Sequence, residues 1–336
     1  MKNILSRRSF SKPAASSKKQ VVYRVKNWSA YNRSLIQRGH LTVWLSEEAI
    51  DGWRYDGPAQ RGAQFLYSDA AIETTLTLRK LFGLALRQPQ GFVQSLLEML
   101  DLDLSAPDYS TLSRRHPGLQ VDLPVKPTNK PRHLVADSTG LKLYGEGEWQ
   151  VRQQGWTQRR TWRKLHLGLD AHTGEVVAQT LTRAGTDDAS QVRPMLEQTP
   201  GKIARFYGDG AYDRWKVHRL LAYPPKPRAA PIEAVIPPQH NACPRKAKRR
   251  YRHIEARNER VQSILHLGRK RWKRNRGYHK RSLVETGMAR YKRILGPQLA
   301  ARTWEGQQTE ARIGCSILNQ IIHLGKPESY RVELNS

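Results

Sequence analysis

The chain is poor in cysteine and has no long apolar run. Only Cys243 and Cys315 occur in 336 residues, which excludes a disulfide framework and suits a reducing cytoplasm. No apolar stretch approaches the roughly 18 residues that a membrane span needs, so no membrane partner is expected. The first twenty residues hold six Lys or Arg and no acid. They have some features of a transit peptide but lack the apolar core of a secretory signal.

Acidic residues are also scarce relative to basic ones. The chain has 29 Asp or Glu against 58 Lys or Arg, a formal net charge of +29 that predicts a polyanionic partner. Between Pro244 and Arg293 there are 19 Lys or Arg and three Glu. Cations follow phosphates and aromatic rings stack on exposed bases. The aromatic residues within this run therefore favour a nucleic-acid channel over a solvated basic face: Tyr251, Trp272, Tyr278 and Tyr291.

Four polar residues recur at helical spacing near the end of this basic run. Tyr278, Arg281, Glu285 and Lys292 stand at offsets of 0, 3, 7 and 14, which at 100° per residue places them within about 60° of one another on a helix. Such a stripe is a poor core face, because burying unpaired charge is costly. It suits holding a phosphodiester and supplying one metal ligand, although a solvated helix face has the same pattern.

Two aspartates lie in or after segments that read as strands. Asp137 is in the middle of an apolar run over residues 133–144, and Asp209 lies between two glycines after a run that starts at Ile203. Taken alone, each is typical of a turn or a helix cap. Together with Glu285 they form an ordered acidic set on two predicted strands and a helix. Such carboxylates suit Mg²⁺, a hard cation that takes oxygen ligands.

These residues give the sequence a family resemblance. It resembles the DDE transposases of bacterial insertion sequences, of the family-five type that carries the Y-x2-R-x3-E-x6-K motif, which Tyr278, Arg281, Glu285 and Lys292 match without departure. The resemblance covers roughly residues 30 to 325. Its other segments occur in the family's order: Asp137 to Lys142, Trp162 to Leu167, Gly208 to Asp213 and Gly277 to Ser282.

The resemblance implies a fold, a reaction and partners. The expected fold is α/β, an RNase H-like (retroviral integrase-like) catalytic domain preceded by an all-α DNA-binding region. The expected reaction is metal-dependent hydrolysis at the ends of the element, followed by attack of the freed 3′-OH on target DNA. Asp137, Asp209 and Glu285 would be catalytic and would hold two Mg²⁺ (or Mn²⁺). The implied partners are double-stranded DNA, as terminal inverted repeats and target, and further copies of the chain, as a homodimer or higher in a synaptic complex. The implied location is the bacterial cytoplasm, at the nucleoid.

Several further residues are predicted to contact DNA. By resemblance, Tyr278 and Arg281 hold phosphate near the cleaved end, and Lys292 contacts the backbone farther along. Arg114 and Arg115, at the end of a helix predicted to be capped near Asp108, and Lys273 in the basic run complete this set. Near the β-hairpin there are three candidates for stacking on an unstacked base, although core packing also explains them: Trp149, Trp156 and Trp162.

The predicted organisation has five parts. Residues 1–25 are a basic, disordered arm, 26–122 a helical DNA-binding region, 123–132 a Pro-rich linker, 133–325 the catalytic domain and 326–336 a tail. The helical region permits a helix-turn-helix-like unit or an ordinary helical bundle. In the catalytic domain we predict a strand, a hairpin, a helix from Asp187, a strand, a helix from Tyr212, a strand and a long basic helix.

Other classes of DNA-binding protein share some of these sequence features. A metal-dependent RNase H-like nuclease without strand transfer would use the same acidic set, whereas a non-catalytic basic DNA-binding protein would have no use for it. A serine or tyrosine recombinase leaves the three carboxylates unexplained.

A zinc site is not predicted from the sequence, because the spacing of His240, Cys243 and His253 matches no standard zinc pattern.

Overall fold

The computed structural model describes residues 20–59, 61–62, 64–143, 162–225, 230–246 and 251–334. Contacts divide the chain into two compact units, residues 1–39 with 324–336, and residues 40–323. In the described part of the chain, no helix is both long and apolar enough to cross a membrane. Trp149 and Trp156, predicted as stacking candidates, lie outside the described residues.

The smaller unit pairs the two ends of the chain. Its strand β1 (Gln20–Val25) runs antiparallel to β8 (Ser329–Leu334), and α1 (Trp28–Gln37) follows β1. Asn27 joins the two segments, because its side chain donates to Lys326 O at 3.0 Å and accepts from Glu328 N at 2.8 Å. We predicted a disordered arm over residues 1–25 and a tail over residues 326–336, and within these segments residues 20–25 and 329–334 pair as strands. Pairing between segments about 300 residues apart leaves no local signal.

The larger unit begins with helices whose first turns are capped by side chains. Ser46 accepts a hydrogen bond from Ala49 N, Ser68 from Ala71 N, and Asp108 from the N–H groups of residues 110 and 111. Such caps satisfy the N–H groups that have no partner within a helix. The predicted helical region is therefore helical, and its binding of DNA is still a prediction. Its helices are α2 (Glu47–Asp51), α3 (Asp69–Phe82), α4 (Gln88–Met99) and α5 (Tyr109–Arg115).

A mixed β-sheet forms the centre of the larger unit. The strand order is β4-β3-β2-β5-β6, and the short β7 pairs with the end of β2. The β2–β3 and β3–β4 pairs are antiparallel, and the β2–β5 and β5–β6 pairs are parallel. The strands are β2 (Arg132–Leu143), β3 (Trp162–Asp170), β4 (Val176–Arg183), β5 (Ile203–Tyr207), β6 (Glu233–Val235) and β7 (Gln298–Leu299). The predicted hairpin is thus confirmed.

The later helices are shorter than the sequence predicted. The helix expected from Asp187 begins with a 3₁₀ turn and becomes α-helical at Val192, and the helix expected from Tyr212 begins at Trp215. The long basic helix is broken at Gly268 and Gly277, whose φ of +78° and +63° cannot continue an α-helix. The helices are α6 (Val192–Gln198), α7 (Trp215–Ala222), α8 (Arg252–Leu267), α9 (Arg269–Asn275), α10 (Ser282–Leu295) and α11 (Trp304–Leu324).

Alternating side chains of β2 contribute to two cores, one on each face of the sheet. Leu134 and Ala136 are buried with residues of α6 and α7, whereas Val135 and Leu141 are buried with residues of α10 and α11 and with the helices before the sheet. The period-two alternation of a strand requires this division. The α10 face is therefore the one on which an odd-numbered β2 residue such as Asp137 is presented.

Candidate active site

Asp137 lies in the middle of β2, as predicted, and is partly buried. Its carboxylate accepts hydrogen bonds from Ser138 N at 2.8 Å and from Arg281 Nη1 at 2.7 Å. Burial raises the pKa of Asp137, and the charges of Asp209 and Asp188 raise it further, whereas Arg281 lowers it. The ionised carboxylate is therefore costly here unless a cation lies beside it.

Asp209 lies just beyond the end of β5, which is parallel to β2 in the sheet. Its side chain accepts from Ala211 N at 2.8 Å and so caps the 3₁₀ turn Gly210–Tyr212. A Cβ on Gly208 would lie 2.8 Å from the ring of Tyr212, which is buried. The glycine before Asp209 is therefore needed for Tyr212 to pack beneath the turn, and this packing sets the position of the carboxylate.

Glu285 lies in the first turn of α10 and is exposed. The four-residue stripe does not lie on one α-helix, because Tyr278–Arg281 form a 3₁₀ turn and the α-helix begins at Ser282. A 3₁₀ turn is common at a helix N-terminus and follows here from the left-handed Gly277. The expected proximity still holds for Arg281 and Glu285, whose side chains form an i,i+4 ion pair.

Arg281 bridges two of the predicted catalytic residues. It donates to Asp137 through Nη1 and to Glu285 through Nη2. Partial burial lowers the pKa of Arg281, but the charges of Asp137, Glu285 and Asp209, with the nearby Tyr278, raise it overall. One guanidinium therefore brings Asp137 and Glu285 together, and the charge of Asp209 also acts on it.

Tyr278 borders the same group of charges. Burial raises the pKa of its phenol, as do the charges of Asp209, Asp137 and Glu285, so the hydroxyl keeps its proton and can donate a hydrogen bond. Lys273 Nζ lies 5.0 Å from the centre of the Tyr278 ring, in a cation–π contact. Lys292 is seven residues beyond Glu285 on α10, about 10 Å farther along the helix on nearly the same face.

The donor types of this site fit a hard divalent cation. Three carboxylates act on one positive group, and oxygen ligands of this kind suit Mg²⁺ or Mn²⁺. In the described residues no three acidic, histidine or cysteine side chains are close enough together to hold an ion. Arg281 lies between Asp137 and Glu285 and pairs with both.

Three other residues predicted to contact DNA differ in their exposure and in their contacts within the protein: Arg114, Arg115 and Trp162. Arg114 is exposed, whereas Arg115 is partly buried and has partners within the chain, because it pairs with Asp69 at 2.5 Å and donates to Tyr67 O at 2.9 Å. Its guanidinium also lies 4.0 Å from the Phe65 ring centre. Trp162 packs over Gly140, where an added Cβ would be 3.1 Å from the indole. Packing against β2 therefore accounts for Trp162.

A buried ionic network behind Asp209 was not predicted from the sequence. Asp213 accepts from Arg257 at 2.8 and 2.9 Å and from His218 at 2.7 Å, and Arg260 bonds the other nitrogen of His218 at 2.9 Å. These contacts join the turn that follows Asp209 to α8. The sequence showed Arg257 and Arg260 only as members of a basic run, and their spacing of three residues, one helical turn, was the available signal.

Asp188 is a further acidic residue near the site that the sequence interpretation did not select. It pairs with Lys164 at 2.9 Å and lies 3.5 Å from the buried His166, whose other nitrogen bonds Thr182 Oγ1 at 2.7 Å. His166 is opposite Ser138 in the strand register. Asp188 is therefore a neighbour of the β2 segment that presents Asp137, and its only sequence signal was the pair of aspartates at 187 and 188.

Known protein families match this chain in sequence. Two family models described as a transposase DDE domain match the chain, one over residues 36–146 and the other over residues 128–320. A cryo-EM structure of a piggyBac transposase synaptic complex with hairpin DNA has 10% sequence identity, covering 86% of this chain and 74% of that chain, with a TM-score of 0.38. Because the match over residues 128–320 covers more than half of the 336-residue chain, the protein belongs to the DDE transposases, enzymes that generally use divalent metal ions.

Proposed function

We propose that this transposase binds the terminal inverted repeats of its insertion sequence, cleaves the ends by hydrolysis and joins the 3′-OH ends to target DNA. The observation that carries the proposal is the pairing of Asp137 and Glu285 through Arg281, with the charge of Asp209 acting on both Asp137 and Arg281. The proposed catalytic fold is RNase H-like. It is supported by the strand order β4-β3-β2-β5-β6, with Asp137 on the central strand, Asp209 after its parallel neighbour and Glu285 on a helix packed on the sheet.

Asp137, Asp209 and Glu285 are the proposed ligands of two Mg²⁺ or Mn²⁺ ions. Bound at such a site, divalent ions lower the pKa of water and stabilise charge on phosphate oxygens. Burial of Asp137 and the raised pKa of its carboxyl are consistent with a group that is stabilised as an anion by a cation. Asp209 is held in place by its cap on the 3₁₀ turn, and Glu285 by the first turn of α10.

Arg281 and Tyr278 are the proposed phosphate-holding groups. A guanidinium already paired with two carboxylates presents donors that fit phosphate oxygens equally well. When DNA arrives, Arg281 exchanges carboxylate for phosphate, and Asp137 and Glu285 become available for metal. The protonated Tyr278 donates to the same phosphate, with Lys273 against its ring. Lys292 and the exposed Arg114 contact the backbone farther away.

The remaining parts of the proposal concern assembly and place. The protein acts as a homodimer or a higher oligomer in a synaptic complex, on DNA in the bacterial cytoplasm. The concentration of basic side chains in the described residues of α8 and α9 supports a DNA channel along these helices. Two of these side chains do not contribute to the channel, because Arg257 and Arg260 are buried in the network around Asp213. We also propose that residues 123–132 form a linker and that residues 133–325 form the catalytic domain.

Removal of one carboxylate at a time tests the function. We expect Asp137→Asn, Asp209→Asn and Glu285→Gln each to slow cleavage of a duplex carrying the element's end by at least about 10³-fold, because stabilisation by metal is worth several kcal/mol. Binding of the same duplex should stay within about threefold of wild type, since no phosphate contact is removed. The control is Glu197→Gln, which changes an exposed carboxylate on α6 that pairs with Arg193. It should cleave normally.

Two results would contradict the proposal. Wild-type cleavage rates in any of the three variants would remove that residue from the catalytic set. Cleavage by wild type without joining of the 3′-OH end to a second duplex would identify a nuclease, not a transposase that completes strand transfer.

A further inference from the structure

A basic groove lies in the larger unit, apart from the carboxylates. Its volume is about 1210 Å³, and it is bordered by α3, α5, α11 and the segment that follows α10. Four cationic side chains line it against one carboxylate, Glu310, and they are Arg79, Lys80, Arg87 and Arg302. The excess of cationic side chains in this groove fits an anionic ligand such as a segment of a polyanion.

The single carboxylate does not oppose an anion in the groove. Glu310 is buried and pairs with Lys80 at 2.7 Å, and its second oxygen accepts from Ala300 N and Ala301 N at 2.8 Å each. Lys80 and Glu310 therefore neutralise each other, and both form part of the wall of the groove. The positive charge that faces a ligand comes from the three arginines.

A buried polar atom lines the same groove without a partner. His116 is 7% exposed, and among the described residues its Nε2 has no hydrogen-bond partner. Burial lowers the pKa of His116 to about 4, so the ring is neutral near pH 7 and can donate one hydrogen bond. A buried nitrogen without a partner costs free energy, but this atom is closed off from solvent, so the charge of the arginines and not this ring supplies the attraction for a phosphate. At the rim, the guanidinium of Arg87 lies 4.7 Å from the exposed ring of Tyr109.

Two elements lead from the carboxylates to this groove. Strand β2 runs from Asp137 to Leu143, which lines the groove, and six strand residues span about 20 Å. Helix α10 runs from Glu285 past Lys292 to Leu295, which also lines it, and ten helical residues span about 15 Å. Duplex DNA advances about 3.4 Å per base pair. The groove is therefore about four to six base pairs from the carboxylates.

We propose that this groove binds the sugar-phosphate backbone of the transposon end, about four to six base pairs from the scissile phosphate, through Arg79, Arg87 and Arg302. The inference rests on the proposed function and adds a second DNA-binding site to it. Lys292 lies on the path between the two sites, so the backbone follows α10 from one to the other.

The first test measures binding of a duplex carrying the DNA end that flanks the gene, in buffer without divalent metal and at several salt concentrations. Arg87→Gln and Arg302→Gln should each weaken binding roughly fivefold to tenfold at moderate salt. Each should also reduce the slope of log K against log[salt] by about 0.9 per lost phosphate contact. Arg193→Gln is the matched control, because Arg193 is an exposed arginine on α6, which packs on the other face of the sheet. It should leave both quantities unchanged.

The second test locates the contact by ethylation interference on the same duplex. Wild type should be sensitive to ethylation of phosphates about four to six positions from the cleavage site, and Arg302→Gln should lose that sensitivity and no other. If wild type binds and cleaves the end but both groove variants match Arg193→Gln, the groove inference is overturned and the proposed function stands. If the variants instead lose self-association with an unchanged salt slope, the groove holds a second protein chain and the inference is also overturned. If wild type neither binds nor cleaves the end, the proposed function itself fails.

Discussion

Arg281 contacts two of the three proposed metal ligands. Its guanidinium donates to Asp137 and to Glu285, and Asp209 acts on it electrostatically. We propose that, without phosphate, the arginine neutralises carboxylates that would otherwise repel one another and competes with a divalent ion for them. On this proposal, binding of DNA and binding of metal are coupled through a single side chain, because both displace Arg281 from the carboxylates.

We expect Arg281→Ala to bind Mn²⁺ more tightly than wild type in the absence of DNA, by roughly tenfold if the competing ion pair is worth about 1.4 kcal/mol. Arg281→Lys should lie between the two, because lysine keeps the charge but loses the two-pronged geometry. Isothermal titration of Mn²⁺ into metal-free protein measures the affinity. Arg293→Ala, which removes one charge from an exposed position of the same helix, should match wild type. An unchanged or weaker Mn²⁺ affinity in Arg281→Ala would show that the arginine does not compete with metal.

At the scale of elements, two glycines set the position of the helix that carries Glu285. A Cβ on Gly287 of α10 would lie 2.7 Å from Leu169 of β3, and a Cβ on Gly314 of α11 would lie 2.6 to 2.8 Å from the ring of Tyr291 on α10. Leu169 and Tyr291 are buried. The close approach of α10 to the sheet and to α11 therefore requires glycine at both positions. This approach places the first turn of α10, which carries Glu285, beside the sheet.

Gly314→Ala should lower the free energy of unfolding by about 1–3 kcal/mol, because the buried ring of Tyr291 must move to accept the methyl group. Gly91→Ala is the control at a second helical glycine, in α4, where an added Cβ meets nothing within 4 Å. It should raise stability by up to about 1 kcal/mol. Urea denaturation of both variants gives the two values. Equal effects of the two changes would mean that backbone propensity, and not the contact with Tyr291, explains the result.

At the scale of the whole molecule, the larger unit contains several buried polar clusters that depend on protonation. The Asp213 network ties the turn after Asp209 to α8, and hydrogen bonds from His218 and Arg257 hold the pKa of Asp213 well below its usual range in spite of burial. His116 and His166 are buried as neutral rings in two different parts of the unit. The stability of the unit is therefore sensitive to acid at positions outside the carboxylate site.

The free energy of unfolding should fall as the pH is lowered from about 6.5 to about 4. Burial lowers the pKa of His116 and of His166 to about 4, so in this window the unfolded chain binds protons that the folded chain does not. The expected loss is up to about 1.4 kcal/mol per pH unit for each histidine. Chemical denaturation at several pH values gives the slope. His166→Gln should flatten it and His240→Gln, at an exposed position, should not; identical slopes in the two variants would rule out His166 as a source of the acid sensitivity.

Local patterns were sufficient to predict much of this protein. The strand through Asp137, the hairpin of β3 and β4, the turn at Asp209 and the capped helix at Asp108 all follow from alternation, glycine position and capping chemistry. The family was also identified from motif residues, because the motif side chains and their spacing are local properties of the chain. The breaks at Gly268 and Gly277 were missed, since a positive φ depends on the surrounding structure as well as on the glycine.

The sequence by itself therefore determined the types of the site residues, their order and most of the elements that carry them. Only the tertiary structure decided which groups meet: Arg281 with Asp137 across 144 residues, Arg257 with Asp213 across 44, and β1 with β8 at opposite ends of the chain. It also decided that Arg115 and Arg257 serve internal contacts although both belong to basic segments. The physical reason is that charge and periodicity are properties of a segment, whereas burial and pairing depend on what other segments bring to the same place.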